Sequence, residues 1–142
     1  MLRTGIPLAI GLAAGIAAMA FAQHDPHEHG EQVRVLSATD IQEQLDGHAA
    51  RATVVEVTLG PGEAGVAHRH PGPGFVYVLE GEYELGIDDK PTKRFKAGET
   101  FYEPTGCLHR VSKNPAKEGK TRLIAVVLHP RTTDEIAVPE KK

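Results

Sequence analysis

The 142-residue chain has no tryptophan and a single cysteine, Cys107. One cysteine rules out an intrachain disulfide, so stability must come from the core or from a partner subunit. Aromatic residues are few, at 5%, which leaves aliphatic side chains to build that core. A formal charge of only −3 offers no basic surface for nucleic acid. No internal repeat is visible, and no Ser–His arrangement or carboxylate pair marks an acid–base couple. Long apolar runs are missing too, except at the N-terminus.

That exception runs from Ile6 to Met19, follows Arg3, and leads into Ala20-Phe21-Ala22. A short basic start, an apolar stretch and a small-x-small site read as a secretory signal peptide over residues 1–22. The expected location is periplasmic or secreted, with no stable membrane association after cleavage. No cysteine at the cleavage point suggests a lipoprotein. Loss of Arg3 takes the charge from −3 to −4. Residues 23–32 read as a flexible, His-rich leader, in which His24, His27 and His29 sit on a solvated tail. Residues 33–139 are enough for one domain and too few for two.

Within that domain the hydrophobic period is two. Val55, Val57 and Leu59 share one face of a strand, with Glu56 and Thr58 on the other. Further strands are expected over 75–79, 82–87, 92–95, 100–103, 108–112 and 122–128, separated by Glu80-Gly81, Asp88-Asp89, Ala97-Gly98 and Lys113-Asn114-Pro115. Val33–Leu36 reads as a short strand. Thr39-Asp40 looks like a helix cap before a brief turn over Ile41–Leu45, ended by Asp46-Gly47. Residues 134–139 could add an edge strand. Many short strands with Gly and Pro punctuation predict an all-β sandwich or barrel.

The residues with chemistry are His68, His70 and His109. Histidines at i and i+2 on a strand project from one face and can reach one ion. A third from another strand would leave open positions, as a metal that handles substrate requires. Gly62-Glu-Ala-Gly-Val-Ala-His68-Arg-His70, followed by Tyr77-Val-Leu-Glu-Gly81, resembles the first motif of the cupin superfamily. Gly98-Glu-Thr-Phe-Tyr-Glu-Pro104-Thr-Gly106-Cys-Leu-His109 resembles the second. The resemblance covers about Val54 to Leu128. It implies a double-stranded β-helix, or jelly-roll barrel, as a single cupin domain.

It also implies a glutamate ligand shortly after the histidine pair, and that count lands on Gly74. The asparagine that usually closes the second motif stands one residue late, at Asn114. Three histidines alone suit Fe, Zn, Cu or Ni, whereas an added carboxylate favours harder Mn(II), so restoring a glutamate at position 74 should favour Mn. Glu103, just before Pro104, is a candidate alternative ligand or a hydrogen-bonding support for a histidine. Arg69 should face away from the ion. Cys107 reads as a small buried residue and His48 and His129 as exposed, while Tyr77 and Tyr83 could offer hydroxyls to a ligand, although aromatic residues on such strands more often serve packing.

If position 74 faces inward, Val76 and Val78 form an apolar pocket wall, while Phe75, Tyr77 and Leu79 face outward. That stripe should be covered by the Val33–Leu45 segment or by a second copy, and a homodimer is expected. The resemblance implies a divalent-metal enzyme acting on a small molecule, with an oxygenase similar to quercetinase-like cupins as the leading expectation. The alternative is an exported, non-catalytic cupin that binds a small ligand or metal.

Overall fold

The computed structural model describes residues 30–141. The signal-peptide reading and His24, His27 and His29 lie outside the described residues. Ten strands form two antiparallel five-stranded sheets. The first contains β1 (Gln32–Leu45), β2 (His48–Leu59), β9 (Thr121–Pro130), β4 (Gly74–Glu80) and β7 (Thr100–Glu103), in that spatial order. The second contains β10 (Val138–Pro139), β3 (His68–Arg69), β8 (Leu108–Lys113), β5 (Glu82–Ile87) and β6 (Lys93–Lys96). The described residues contain no helix. This is the jelly-roll architecture the sequence motifs implied.

Period-two patterning explains which faces meet. Val55, Val57 and Leu59 from β2, Val76 and Val78 from β4, and Leu123 and Ala125 from β9 are buried in one cluster. Tyr83 and Leu85 from β5 close it from the opposite sheet. Tyr83 stacks on Phe101, with ring centroids 5.5 Å apart, which places a few aromatics where the two sheets meet. The late Asn114 has become a staple. Its Nδ2 donates to the carbonyls of Leu59, Gly60 and Gly119, and its Oδ1 accepts from Ala116 N–H. The great majority of buried polar groups are paired in this way.

The capped turn expected over Ile41–Leu45 does not form. Gln32 to Leu45 is one strand, paired antiparallel with β2 and irregular between Asp40 and Gln44. Thr39 pairs with Ala52 rather than capping a helix. Asp40 accepts a hydrogen bond from Arg51 Nε at 2.7 Å. Asp46 and Gly47 have φ of 51° and 77°, the pair of left-handed residues that closes a two-residue hairpin. A long complementary strand outweighs weak local capping preference. The Asp-Gly pair was the available signal for a hairpin.

β1 also settles what it cannot cover. It lies at the edge of the first sheet, separated from β4 by β2 and β9, so it does not lie over the outer face. There Phe75 is 51% exposed, Tyr77 45% and Tyr102 53%. With Thr100, Ile124 and Val126 they line an open groove of about 610 Å³. Exposed aromatics in one patch of this kind favour a partner surface. We propose that a second copy of the chain covers it, giving a two-fold dimer. Sedimentation of residues 23–142 at micromolar concentration should show a dimer, and Phe75→Glu should convert it to monomer. A wild-type monomer would contradict the proposal.

Candidate metal centre

β3 and β8 pair so that His68 stands directly opposite His109. His70 follows two residues after His68 and projects to the same side. The loop into β8 is tied down by Gly106 N–H, which donates to His70 C=O at 3.0 Å. Gly106 has φ of 71°, a conformation other residues rarely adopt. The three rings form a near-equilateral triangle, with centroids 4.7 to 4.9 Å apart. One nitrogen from each lies within 4.8 Å of the others. The three histidines singled out by spacing are therefore brought together.

Their protonation is arranged by the backbone. His68 Nδ1 lies 2.7 Å from Val66 C=O, and His70 Nδ1 is bonded to Ile136 C=O. A carbonyl only accepts, so each Nδ1 carries a proton, and in the neutral ring this leaves Nε2 as the nitrogen with a lone pair. His109 is 2% exposed, and its Nε2 is buried with no hydrogen-bond partner. An unpaired buried nitrogen is costly, and a bound cation would satisfy it. Burial, and then the neighbouring histidines, holds the His109 pKa down at about 3. Burial likewise lowers that of His70. Neutral imidazoles are the form that binds metal, so the donor set fits a divalent transition metal.

The other sheet contributes Glu103. It ends β7 and pairs with Gly74 of β4. It is 3% exposed, with Oε2 3.5 Å from His70 Nε2 and Oε1 3.6 Å from His109 Nδ1. A Cβ built on Gly74 would come within 2.5 Å of Glu103 Oε2. The carboxyl group thus fills the space a side chain at position 74 would need. Burial, reinforced by the nearby Glu31 carboxylate, pushes its pKa up to about 8.

A cavity of about 70 Å³ adjoins these groups, lined by His70, Glu103, His109, Val76, Glu31 and several core aliphatics. Val76 is part of that wall as expected. Val78 is buried deeper, within the core cluster. Sequence reasoning missed Glu31, which lay in the assumed leader. Its carboxylate accepts from Ser112 Oγ at 3.2 Å, and Ser112 in turn accepts from the Tyr83 hydroxyl. Burial raises the pKa of Glu31. No local motif marks this residue, because only barrel closure brings it to the site.

The remaining candidates are structural. Arg69 points away from the ring cluster, donating to Gly106 C=O and to Glu140. Cys107 is buried, and burial lifts its thiol pKa to about 11. Tyr83 is a core residue, but Tyr77 is exposed. His129, expected at the surface, is buried, with Nε2 2.8 Å from Thr53 Oγ1. It continues the inward parity of Leu123, Ala125 and Val127 along β9. That parity was the overlooked signal.

These shifts set a pH dependence for the metal-free protein. Glu103 has a folded pKa of about 8 against an ordinary 4.5. Its contribution to stability is full below about pH 4.5 and is lost as pH rises through 8. His109, at about 3 against 6.5, acts in the opposite sense, losing stability as pH falls below 6.5. In chelator-treated protein, Glu103→Gln should gain denaturation midpoint relative to wild type between about pH 5 and pH 9. Parallel curves for the two proteins would rule out a buried, ionising Glu103.

Comparisons with known proteins agree with this architecture. Residues 55–127 match the family model for the cupin domain. Comparison with curated proteins gave no significant match. Among solved structures, a conserved double-stranded β-helix protein from Klebsiella pneumoniae is 23% identical with a TM-score of 0.60, covering 82% of this chain and 90% of its own. A recombinant oxalate oxidase in complex with glycolate is 24% identical with a TM-score of 0.54, covering 71% of this chain. This chain spans 52% of the length of that oxidase. A mutant Bacillus subtilis oxalate decarboxylase is 18% identical with a TM-score of 0.59, the match covering 82% of this chain and 30% of the decarboxylase. With the family model spanning half of its length and two jelly-roll sheets around a histidine cluster, the chain belongs to the cupin family.

Proposed function

We propose that this protein is a metal-dependent oxidoreductase of the oxygenase or oxidase type, acting on a small carboxylate or hydroxy acid. The observation that carries the reading is the convergence of His68, His70 and His109, two with a fixed tautomer and the third with an orphaned buried Nε2. Together they would hold one divalent transition metal: Fe, Zn, Cu, Ni or Mn. When bound there, such an ion supplies Lewis-acid polarisation and, if redox-active, electron exchange with the substrate.

The chain's own groups do the rest. Val76 and the core aliphatics exclude water from the inner wall, so charges within the cavity interact strongly. Glu31 lines the same cavity, held by Ser112, and is the group placed to exchange a proton with a substrate. A volume near 70 Å³ favours a ligand of a few heavy atoms over the polycyclic substrate of a quercetinase. The oxalate oxidase and decarboxylase among the fold neighbours are in keeping with a small acid.

Single replacement of His68, His70 or His109 by alanine should reduce bound metal from about one ion per chain to a small fraction of that, as loss of one of three ligands implies. Metal-loaded wild type should turn over a small acid such as glycolate or oxalate, and the His109→Ala protein should not. Unchanged metal content in all three variants would sink the site. Metal binding without turnover of any small acid would identify the alternative, an exported binding protein. Export belongs to the same reading, supported by the apolar stretch and Ala20-Phe21-Ala22. Intact mass of the protein recovered from a secreting host should correspond to a chain beginning at Gln23, and retention of Met1 would count against export.

A further inference from the structure

We propose that Glu103 is a fourth ligand of the centre, reaching the ion across the space left open by Gly74. The inference rests on the three-histidine metal reading and adds the anionic member of the set. Gly74 and Glu103 are direct partners in the β4–β7 ladder, and both face the barrel interior. The absent side chain at position 74 is what lets the carboxylate in, since a Cβ there would lie 2.5 Å from Oε2 and 3.2 Å from the Glu103 Cβ.

Glu103 meets two different kinds of nitrogen: its Oε2 faces His70 Nε2, which is free for an ion, while its Oε1 faces His109 Nδ1, the ring nitrogen opposite the orphaned Nε2, so one oxygen is placed to ligate and the other to brace His109. Among the described residues, its partners at ion-pair distance are His70 and His109; no lysine or arginine reaches it. His70 Nε2 has no proton to donate, because Nδ1 carries it toward Ile136 C=O. An imidazole lone pair and a carboxylate oxygen therefore face each other at 3.5 Å. That separation is too long for a good hydrogen bond, and two acceptors so placed repel unless a cation or proton lies between them. Two ligand atoms each about 2.1 Å from one tetrahedral ion are about 3.4 Å apart. His70 and Glu103 would hold an ion placed between them, and its charge would offset their mutual repulsion.

The chemical consequence is selectivity. Three imidazoles alone prefer Zn, Cu, Fe or Ni, while an added carboxylate shifts the preference toward Mn(II). A glutamate added at position 74 would have to displace the Glu103 carboxyl group, whose Oε2 lies 2.5 Å from the Cβ position, so the two carboxylates would compete for one place.

The test is the ratio of Mn(II) to Zn(II) affinity, measured by competition titration on chelator-stripped full-length protein. Glu103→Gln keeps the shape but removes the anion, and should lower that ratio at least tenfold. The reciprocal exchange Gly74→Glu with Glu103→Gly delivers a carboxylate from the opposite strand and should restore the ratio. A wild-type ratio in the near-isosteric Glu103→Gln protein would overturn the proposal while leaving the histidine site standing. Failure of wild type to bind either ion would overturn both.

Discussion

A carboxyl group 3% exposed inside an apolar barrel must stay protonated or meet a cation, and this requirement on Glu103 organises the surrounding structure. Moving an isolated carboxylate out of water costs several kcal/mol even after relaxation. Beside Glu103 the protein places the His70 and His109 imidazoles, both disfavoured by burial as cations, and His70 directs its Nδ1 proton outward onto the Ile136 carbonyl. The site is therefore a set of lone pairs without an internal counter-charge. Such a set holds a proton, and a divalent ion bound there would supply the missing positive charge.

The two sheets divide this work. The second sheet supplies the imidazoles through one strand pairing, with His68 opposite His109. The first supplies the carboxyl group through another, with Gly74 opposite Glu103. Only closure of the barrel brings the two sets within 4 Å. The core cluster of Val55, Val57, Val76, Leu123 and Ala125 holds that spacing, so packing away from the histidines positions them. The C-terminal segment takes part as well, because Ile136 C=O fixes the His70 tautomer.

Much of this was legible in the chain. Seven of the strands and the inward face of β4 follow from period-two patterning. The histidine triad follows from i, i+2 geometry and two punctuated motifs. Errors arose where a local signal competed with a distant partner. Thr39-Asp40 has the chemistry of a helix cap, yet β2 offers that segment a full ladder. His129 looked isolated because its partner, Thr53, is far away in sequence. Glu31 looked like leader because nothing near it shows that Ser112 waits inside the barrel.

The sequence by itself determined the periodicity, the turns and the identity of the three imidazole donors. These depend on bonds and dihedrals a few residues long, which local chemistry decides. Tertiary structure alone decided that the Glu103 carboxyl group occupies the space beside Gly74, that Glu31 reaches the cavity, and that β1 leaves the aromatic face uncovered. Each of these depends on which strands become neighbours and in what register. Register is set by the burial of whole faces against each other, a sum over the barrel that no short segment encodes.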